Sequence, residues 1–321
     1  MKSLSICTFA LACCLGDAAV AATLPGIPEF IDEMVAKHHF RKDELVTLFD
    51  LAQQRPDVID AITRPATIKP WTEYRDAFVN HKRVTLGVAF WKKYHETLRR
   101  ASRKYGVPEE IIVAIIGVET IYGQNAGSFR AIDALTTLAF DYPRRADFFR
   151  GELENYLLLA RDQEFDLLAV RSSYAGALGI PQFMPSSYRN YAVDFNGNHK
   201  IDLLHEDRDA IGSVANYMHS YGWIASEPVA QKATVSEQSC AGDIRTPRSL
   251  ADWANSDIVP QKKISYAKPV RLMDFTLGDA KEFWFAFNNF EVITRYNNSD
   301  FYAMSVLQLA EAIKTARRLN H

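Results

Sequence analysis

The segment from Pro108 to Gly123 constrains the fold of this chain more than any other stretch. Its proline suits the first helical position, two glutamates suit the first turn, and its final glycine suits a helix end. Between these signals, every residue from Ile111 to Val118 is apolar or glycine. A helix that is apolar on nearly all sides must be covered by other elements, so the sequence predicts a helix buried in a large core.

One carboxylate stands at the end of this predicted helix. Glu119 follows Ile112, Ile115 and Ile116 at steps of three and four residues, so it shares their face. Burial and a helix C-terminus both disfavour a negative charge, so we expect the pKa of Glu119 to be raised, as a general acid requires. The alternative is a helix end at which Glu119 turns to solvent, and the helix alone leaves both open.

Size and charge limit the classes of function. With 321 residues and 48% hydrophobic composition, the chain can bury one large core with a satellite, or two domains. The formal net charge is −2 and no long run of one sign is present. Nothing therefore indicates nucleic acid or an electrostatic membrane surface as a partner.

The first 22 residues have the pattern of a secretory signal peptide. Lys2 precedes an apolar segment from Leu4 to Leu15, and small residues follow as far as Ala22. The apolar segment is too short for an ordinary membrane span. We expect soluble export, with a lipoprotein acylated at Cys14 as the alternative. Cys240 is then the only clear cysteine of the exported part, so no intramolecular disulfide is expected.

Apolar residues three and four apart predict a mainly helical chain, with two strand-like runs late in the sequence. We place the following segments on this pattern: a signal peptide over 1–22, an N-terminal helical domain over 23–100, a catalytic core over 101–226, a small α+β module over 227–290, and a return segment with a C-terminal helix over 291–321.

Five motifs carry a resemblance to a known family. They are GVETIYG around Glu119, FDYPRRADFF around Arg144, SSYAGALGIPQFMPSSY around Gln182, AIGSVANYM around Tyr217 and VITRYNNSDFYAM around Tyr296. In their order and spacing they resemble the membrane-bound lytic murein transglycosylase B family, and they cover most of the chain. One such motif would be weak, but five in register are specific.

The resemblance implies a mainly α member of the α+β class, with a lysozyme-like catalytic core. It implies a periplasmic enzyme, or an outer-membrane lipoprotein, that cuts peptidoglycan glycan strands between N-acetylmuramic acid (MurNAc) and N-acetylglucosamine (GlcNAc). The product would be 1,6-anhydroMurNAc, and Glu119 would be the only catalytic acid and base. No cofactor would be required, other cell-wall enzymes are candidate partners, and we expect a monomer.

The same resemblance implies roles for further residues. Ser173 matches a serine that hydrogen-bonds the catalytic glutamate, and Gln182 matches a polar residue that contacts sugar near the cleaved bond. Arg144 and Arg145 match an arginine pair that meets the glycan or its peptide-bearing lactyl group. The remaining matches are cleft residues: Tyr217, Tyr296, Asn297, Tyr302 and Tyr74.

The segment DFNGNHKIDLLH resembles a degenerate calcium loop. Its ligand candidates are the side chains of Asp194, Asn196, Asn198 and Asp202 and the carbonyl of Lys200. It departs from the pattern at two positions, because His199 replaces the turn glycine and His205 replaces the bidentate glutamate, for which Glu206, Asp207 or Asp209 would have to substitute. The alternatives are a structural calcium site and a plain turn built on Asx side chains.

Two rival functions follow from the same residues. A hydrolytic muramidase on this fold would need a positioned water and a second carboxylate, for which Asp133 and Asp141 are nearest in sequence. A non-catalytic peptidoglycan-binding protein would have no need for an isolated carboxylate in an apolar wall. We therefore expect a lytic transglycosylase.

Overall fold

The computed structural model describes residues 24–64, 69–236 and 242–319. The predicted signal peptide, the acylation candidate Cys14 and the lone Cys240 lie outside the described residues. Among the residues that are described, none of the helices combines the length and apolarity needed to cross a membrane.

The chain divides into two compact units, the first ending at Leu51 and the second beginning at Ala52. In the first unit α1 spans Ile27–His38 and α2 spans Lys42–Leu51. The rings of Phe30 and Phe49 meet edge to face at 6.0 Å, which joins the two helices through a small apolar core.

The second unit is built mainly from helices. They are α3 (Pro56–Thr63), α4 (Trp71–Phe78), α5 (His81–Lys93), α6 (His95–Tyr105), α7 (Glu109–Thr120), α8 (Ala131–Asp141), α9 (Ala146–Gln163), α10 (Pro185–Tyr191), α11 (Asp207–Ser220), α12 (Leu250–Ala254), α13 (Asn288–Tyr296) and α14 (Asp300–Leu319). The apolar helix predicted from the sequence is α7, and α5, α6, α11 and α14 pack around it. All eight residues from Ile111 to Val118 are buried.

Among the residues that the structure describes, two antiparallel sheets complete this unit. A short pair joins β1 (Phe129–Arg130) to β2 (Arg171–Ser172) next to α8. The larger sheet has the order β4-β3-β6-β5 and contains β3 (Ala230–Val235), β4 (Ile258–Pro260), β5 (Arg271–Leu277) and β6 (Ala280–Ala286). Trp253 of α12 is buried against this sheet with Leu272 and Phe285, which gives the small β-containing part its own core.

The predicted fold class, α+β and mainly α, is confirmed. Helices α5 and α6 pack on α7, α11 and α14 as parts of one compact unit. The division of this unit into a catalytic core and flanking parts stays a prediction.

Candidate active site

Glu119 lies in the last turn of α7, at the edge of the core. Ile112, Ile115 and Ile116 on the same face are fully buried, whereas Glu119 is only partly buried. The helix ends at Thr120, three residues before the glycine that was predicted to stop it. The carboxyl group of Glu119 therefore sits where an apolar helix face reaches the surface.

The backbone after Glu119 turns sharply through the left-handed region. Ile121, Tyr122 and Gly123 have φ angles of 51°, 59° and 84°. This conformation is unfavourable for a β-branched residue such as Ile121, and it persists only where surrounding contacts hold it. The turn that follows Glu119 is thus an ordered turn with a strained backbone, which its surroundings stabilise, rather than a frayed helix end.

Tyr122 makes some of the contacts that stabilise this turn. Its side chain folds back onto α7, and its hydroxyl donates a hydrogen bond of 2.9 Å to the carbonyl of Arg83. Space for the hydroxyl exists because two neighbours are glycines: a Cβ at Gly117 would lie 2.4 Å from it, and one at Gly87 would lie 2.5 Å from it. Gly117, the first glycine of the GVETIYG motif, has this packing role, which the sequence analysis did not predict.

Thr120 ties the end of α7 to the loop that contains Gln182. Its buried hydroxyl donates to the carbonyl of Ile180 at 2.8 Å and accepts the backbone N–H of Gly123 at 2.9 Å. The helix end and the GIPQF segment therefore hold each other in place. This residue was also absent from the predicted site, although it follows Glu119 directly.

The loop shapes the wall of the site with its own hydrogen bonds. Gln182 has a φ of 52°, and its side-chain amide donates to the carbonyls of Ala126 at 3.1 Å and Gly179 at 2.8 Å. These bonds leave the amide oxygen of Gln182 for a ligand. The predicted contact of Gln182 with sugar stays a prediction.

The resemblance implies Ser173 as the hydrogen-bond partner of Glu119, and this role stays a prediction. Within the described residues Ser173 forms no hydrogen bond to Glu119, because its hydroxyl faces its own turn and accepts the N–H groups of Ala175 at 3.2 Å and Ala177 at 3.1 Å. Tyr302 of α14 instead donates to Oε1 of Glu119 at 2.5 Å. The two residues are 183 positions apart in sequence, and they meet because α14 packs along α7.

The environment of Glu119 gives it the ionisation behaviour of a general acid. Burial raises its pKa to about 7, while the hydrogen bond from Tyr302 acts in the opposite direction. Burial and the nearby Glu119 charge also hold the pKa of Tyr302 well above its usual value, so the phenol remains a donor. At neutral pH both forms of the Glu119 carboxyl are therefore populated.

Three predicted cleft tyrosines form a continuous row from Glu119, which we call the tyrosine row: Tyr302, Tyr296 and Tyr217. The rings of Tyr302 and Tyr296 are nearly parallel, with centroids 6.4 Å apart, and Tyr217 lies 4.9 Å from Tyr296. The hydroxyl of Tyr296 donates to the carbonyl of Pro181 at 2.5 Å, and that of Tyr217 donates to the carbonyl of Arg295 at 2.7 Å. These bonds fix the rings as rigid surfaces.

Tyr74 approaches the same carboxylate from α4. Burial and the charge of Glu119 together raise its pKa, and its ring lies 5.6 Å from that of Phe301. Tyr302 thus contacts Glu119 directly, and Tyr74 lies close enough to be affected by its charge.

The other predicted ligands lie on the surface. Arg144 and Arg145 form a 3₁₀ turn before α9, and both are exposed. The guanidinium of Arg145 stacks on the exposed ring of Phe148 at 4.2 Å. Asn297 is exposed at the end of α13. The roles predicted for these three residues in glycan binding stay predictions.

The calcium-like loop is closed by its own side chains. The carboxylate of Asp194 accepts the N–H groups of Gly197, Asn198 and His199, and the side-chain oxygen of Asn198 accepts the N–H of Lys200. Across the part of the chain that the structure describes, no group of three His, Cys, Asp or Glu side chains is arranged to hold a metal.

The remaining donors fit calcium only in part. Calcium prefers oxygen ligands, and the loop offers side-chain oxygens from Asp194, Asn196, Asn198 and Asp202. The position of the bidentate carboxylate, however, is filled by His205, which pairs with Asp202. Asp209 is turned away, to the N–H groups of Phe195, Asn196 and Asp202. We derive no step of the chemistry through a metal, and the calcium site stays a prediction.

The two candidates for the second carboxylate of a hydrolytic mechanism are both engaged in other contacts. Asp133 is fully buried, pairs with Arg130 at 2.7 Å and accepts the N–H of Gln53. Asp141 accepts the side-chain amide of Gln54 at 2.6 Å. Burial and Tyr302 alone account for the pKa of Glu119 in the described structure, with no contribution from a second carboxylate.

Comparison with known proteins agrees with this geometry. A model of the family "Transglycosylase SLT domain" matches residues 24–311. The membrane-bound lytic murein transglycosylase B of Escherichia coli is 42% identical over 306 residues, which are 92% of this chain and 84% of that protein.

Solved structures show the same likeness. The Escherichia coli lytic transglycosylase Slt35 in complex with calcium is 42% identical, with a TM-score of 0.87 over 92% of this chain and 95% of that one. SltB3 of Pseudomonas aeruginosa, solved with NAG-anhNAM-pentapeptide, is 27% identical, with a TM-score of 0.79 over 89% of this chain and 78% of that one.

Proposed function

The chain belongs to the transglycosylase SLT domain family, and from this premise we propose that Glu119 is the residue through which it cleaves peptidoglycan. The protein is a lytic murein transglycosylase, an enzyme that cuts the β-1,4 bond between MurNAc and GlcNAc and leaves a 1,6-anhydroMurNAc end. The observation that carries the assignment of Glu119 is a single carboxyl group at the end of an apolar helix with a pKa of about 7.

In the first half of the reaction Glu119 acts as the acid. Its protonated form donates the proton to the glycosidic oxygen as the bond from that oxygen to C1 of MurNAc breaks. The acetamido oxygen of the same MurNAc attacks C1, so the substrate supplies the nucleophile that a second carboxylate supplies in other glycosidases. GlcNAc departs with a hydroxyl at its former linkage position.

In the second half the same group acts as the base. Glu119, now a carboxylate, takes the proton of the C6 hydroxyl, and O6 displaces the acetamido oxygen from C1. The product is the 1,6-anhydro ring, Glu119 is protonated again, and no water is consumed. Because both reacting groups belong to one sugar, the step is intramolecular and is accelerated by orientation.

Tyr302 positions the carboxyl group for these proton transfers. Its hydrogen bond occupies Oε1, which directs Oε2 towards the substrate. A pKa near neutrality lets Glu119 hold the proton before bond cleavage and release it during cleavage without a large cost in either direction.

Substrate contacts are proposed for the residues around this carboxylate. The rigid faces of Tyr296 and Tyr217 suit the C–H faces of sugar rings. The hydroxyl of Ser173 and the free amide oxygen of Gln182 suit sugar hydroxyl and acetamido groups. The exposed Arg144 and Arg145 suit the carboxylates and carbonyls of the peptide-bearing lactyl group.

The place of action is also a proposal. The leader over 1–22 supports export to the periplasm, and Cys14 offers an acylation site for an outer-membrane lipoprotein. Fractionation of cells that express the full chain and a Cys14→Ser variant tests this. Soluble periplasmic protein from both supports export without an anchor, whereas membrane association that is lost in the variant would identify a lipoprotein.

The function itself is tested by mass spectrometry of the products from purified sacculi. We expect anhydromuropeptides from the wild type, with no oxygen taken up from heavy-oxygen water, and a loss of turnover of at least about a thousandfold in Glu119→Gln. An Asp141→Asn variant is the matched control, because it removes a carboxylate that the mechanism does not use. Reducing-end products carrying heavy oxygen would instead indicate a muramidase.

A further inference from the structure

The tyrosine row continues beyond Tyr217. Tyr191, at the end of α10, and Tyr221, directly after α11, each touch the ring of Tyr217, at 5.1 Å and 4.5 Å. Their own rings are 5.3 Å apart. We call these two residues the distal tyrosine pair.

The distal end of this row is more exposed than its catalytic end. Tyr302 is 2% exposed, Tyr217 is 6% exposed and Tyr221 is 39% exposed, whereas Tyr296 and Tyr191 are partly buried. Tyr302 and Tyr217 are thus anchored in the protein, while Tyr221 presents aromatic surface to solvent. Exposed aromatic surface that continues a ligand-binding row is typical of an extended binding site.

We propose that the distal tyrosine pair is a further sugar subsite, which binds the glycan strand several units away from the cleaved bond. This inference rests on the proposed function. Tyr221 is three ring-to-ring steps from Tyr302, with centroid distances of 6.4, 4.9 and 4.5 Å, so the pair lies away from Glu119.

The chemistry of the pair favours a neutral sugar as its occupant. Both residues present a ring face for C–H groups and a hydroxyl for sugar oxygens. Hydrogen bonding to Tyr221, followed by burial, raises the pKa of Tyr191, so its hydroxyl stays neutral. Binding at a remote sugar supplies energy that holds the reacting sugar in its cleavable geometry.

Strand length provides the test. Peptide-free oligomers of alternating GlcNAc and MurNAc, in a series of increasing length, are digested by the wild type, Tyr221→Ala and Tyr221→Phe, and kcat and KM are obtained from the anhydro products. We expect Tyr221→Ala to raise KM about tenfold on the longer oligomers and to leave the shortest cleavable oligomer unaffected. Tyr221→Phe keeps the ring and should stay close to the wild type.

Two results would overturn the subsite: an equal loss at every length, which would mean a structural role, or no loss at any length. Absence of anhydro products from the wild type would overturn the proposed function and the subsite with it, so the two failures are distinguishable. Binding of the longest oligomer to Glu119→Gln, with and without Tyr221→Ala, repeats the comparison without turnover. We expect the second substitution to weaken binding about tenfold.

Discussion

Glu119 at the end of α7 and Asp209 in the first turn of α11 are both carboxylates whose pKa is raised by burial. Their surroundings differ. Asp209 is fully buried and accepts three backbone N–H groups, which act to lower its pKa and bind two loop segments to α11. Glu119 accepts one hydrogen bond, from Tyr302, in the described structure.

This difference separates a structural carboxylate from a reactive one. A carboxylate whose oxygens both accept backbone N–H groups weakens those hydrogen bonds when it gains a proton. A carboxylate with one committed oxygen in an apolar wall can exchange its proton through the other. The number of committed donors, rather than burial alone, therefore favours Glu119 as the proposed acid.

We expect the largest effect on the free energy of unfolding from a substitution at Asp209. Asp209→Ala leaves three backbone N–H groups without their acceptor, and we expect a loss of about 3 kcal/mol in the free energy of unfolding. Urea denaturation of the variant and the wild type measures it.

Asp194→Ala is the matched control for this prediction. Asp194 also accepts three backbone N–H groups, but it lies at the surface, where those groups can turn to water. We expect a smaller loss than at Asp209. Equal losses at the two positions would contradict the view that buried committed donors make Asp209 structural.

The next largest effect is on the pH profile of activity, when the hydrogen bond that Tyr302 donates to Glu119 is removed. In Tyr302→Phe the hydrogen bond that lowers the pKa of Glu119 is absent. Since the free enzyme needs protonated Glu119, kcat/KM falls as pH rises through that pKa. We expect this alkaline limb to move to higher pH by about one unit.

Tyr296→Phe is the control for the pH profile. It removes a hydroxyl from the same row, but that hydroxyl donates to Pro181 rather than to Glu119. In this variant the alkaline limb of the kcat/KM profile should stay at its wild-type pH, even if kcat/KM itself changes. A limb that moves equally in both variants would mean that Tyr302 acts through general packing.

The smallest effect concerns calcium. A site with partial ligands would lie at the weak, millimolar end of calcium affinities, so 10 mM calcium should add about 1 kcal/mol and raise Tm by about 2–4 °C. Thermal melting with calcium, with magnesium and with a chelator measures this. An unchanged curve would mean that the Asp194 loop is a plain turn.

Parts of this architecture were predictable from sequence, for identifiable reasons. Helix α7 was predictable because a continuous apolar run lies between a proline and a glycine. The small sheet was predictable because β6 is rich in aromatic residues and β5 is mostly apolar. Helix α13 was missed because Phe287 precedes it, and phenylalanine offers no side-chain acceptor to mark a helix start.

The site was less predictable than the fold. The pKa of Glu119 follows from its own helix, but its partner Tyr302 lies on another helix and is fixed only by how α14 packs on α7. Ser173 was matched to Glu119 by resemblance, and its hydroxyl oxygen accepts two N–H groups of its own turn, which its position in the sequence does not report. Long-range packing decides these contacts, and no periodicity in the sequence reports it.

The measurement that tests the central claim most directly is the pH dependence of unfolding for the wild type and Glu119→Gln. A folded pKa of about 7 against an ordinary value of 4.5 means that the folded protein keeps a proton that the unfolded chain releases between these values. This contribution to stability is complete below pH 4.5 and is lost as pH rises through 7.

We therefore predict that the stability of the wild type, relative to Glu119→Gln, falls by about 3 kcal/mol between pH 4.5 and pH 7.5 and is constant above that. Urea denaturation across this range provides both values. A difference that does not change with pH would mean that Glu119 ionises as an ordinary surface glutamate, and it would contradict its assignment as the acid.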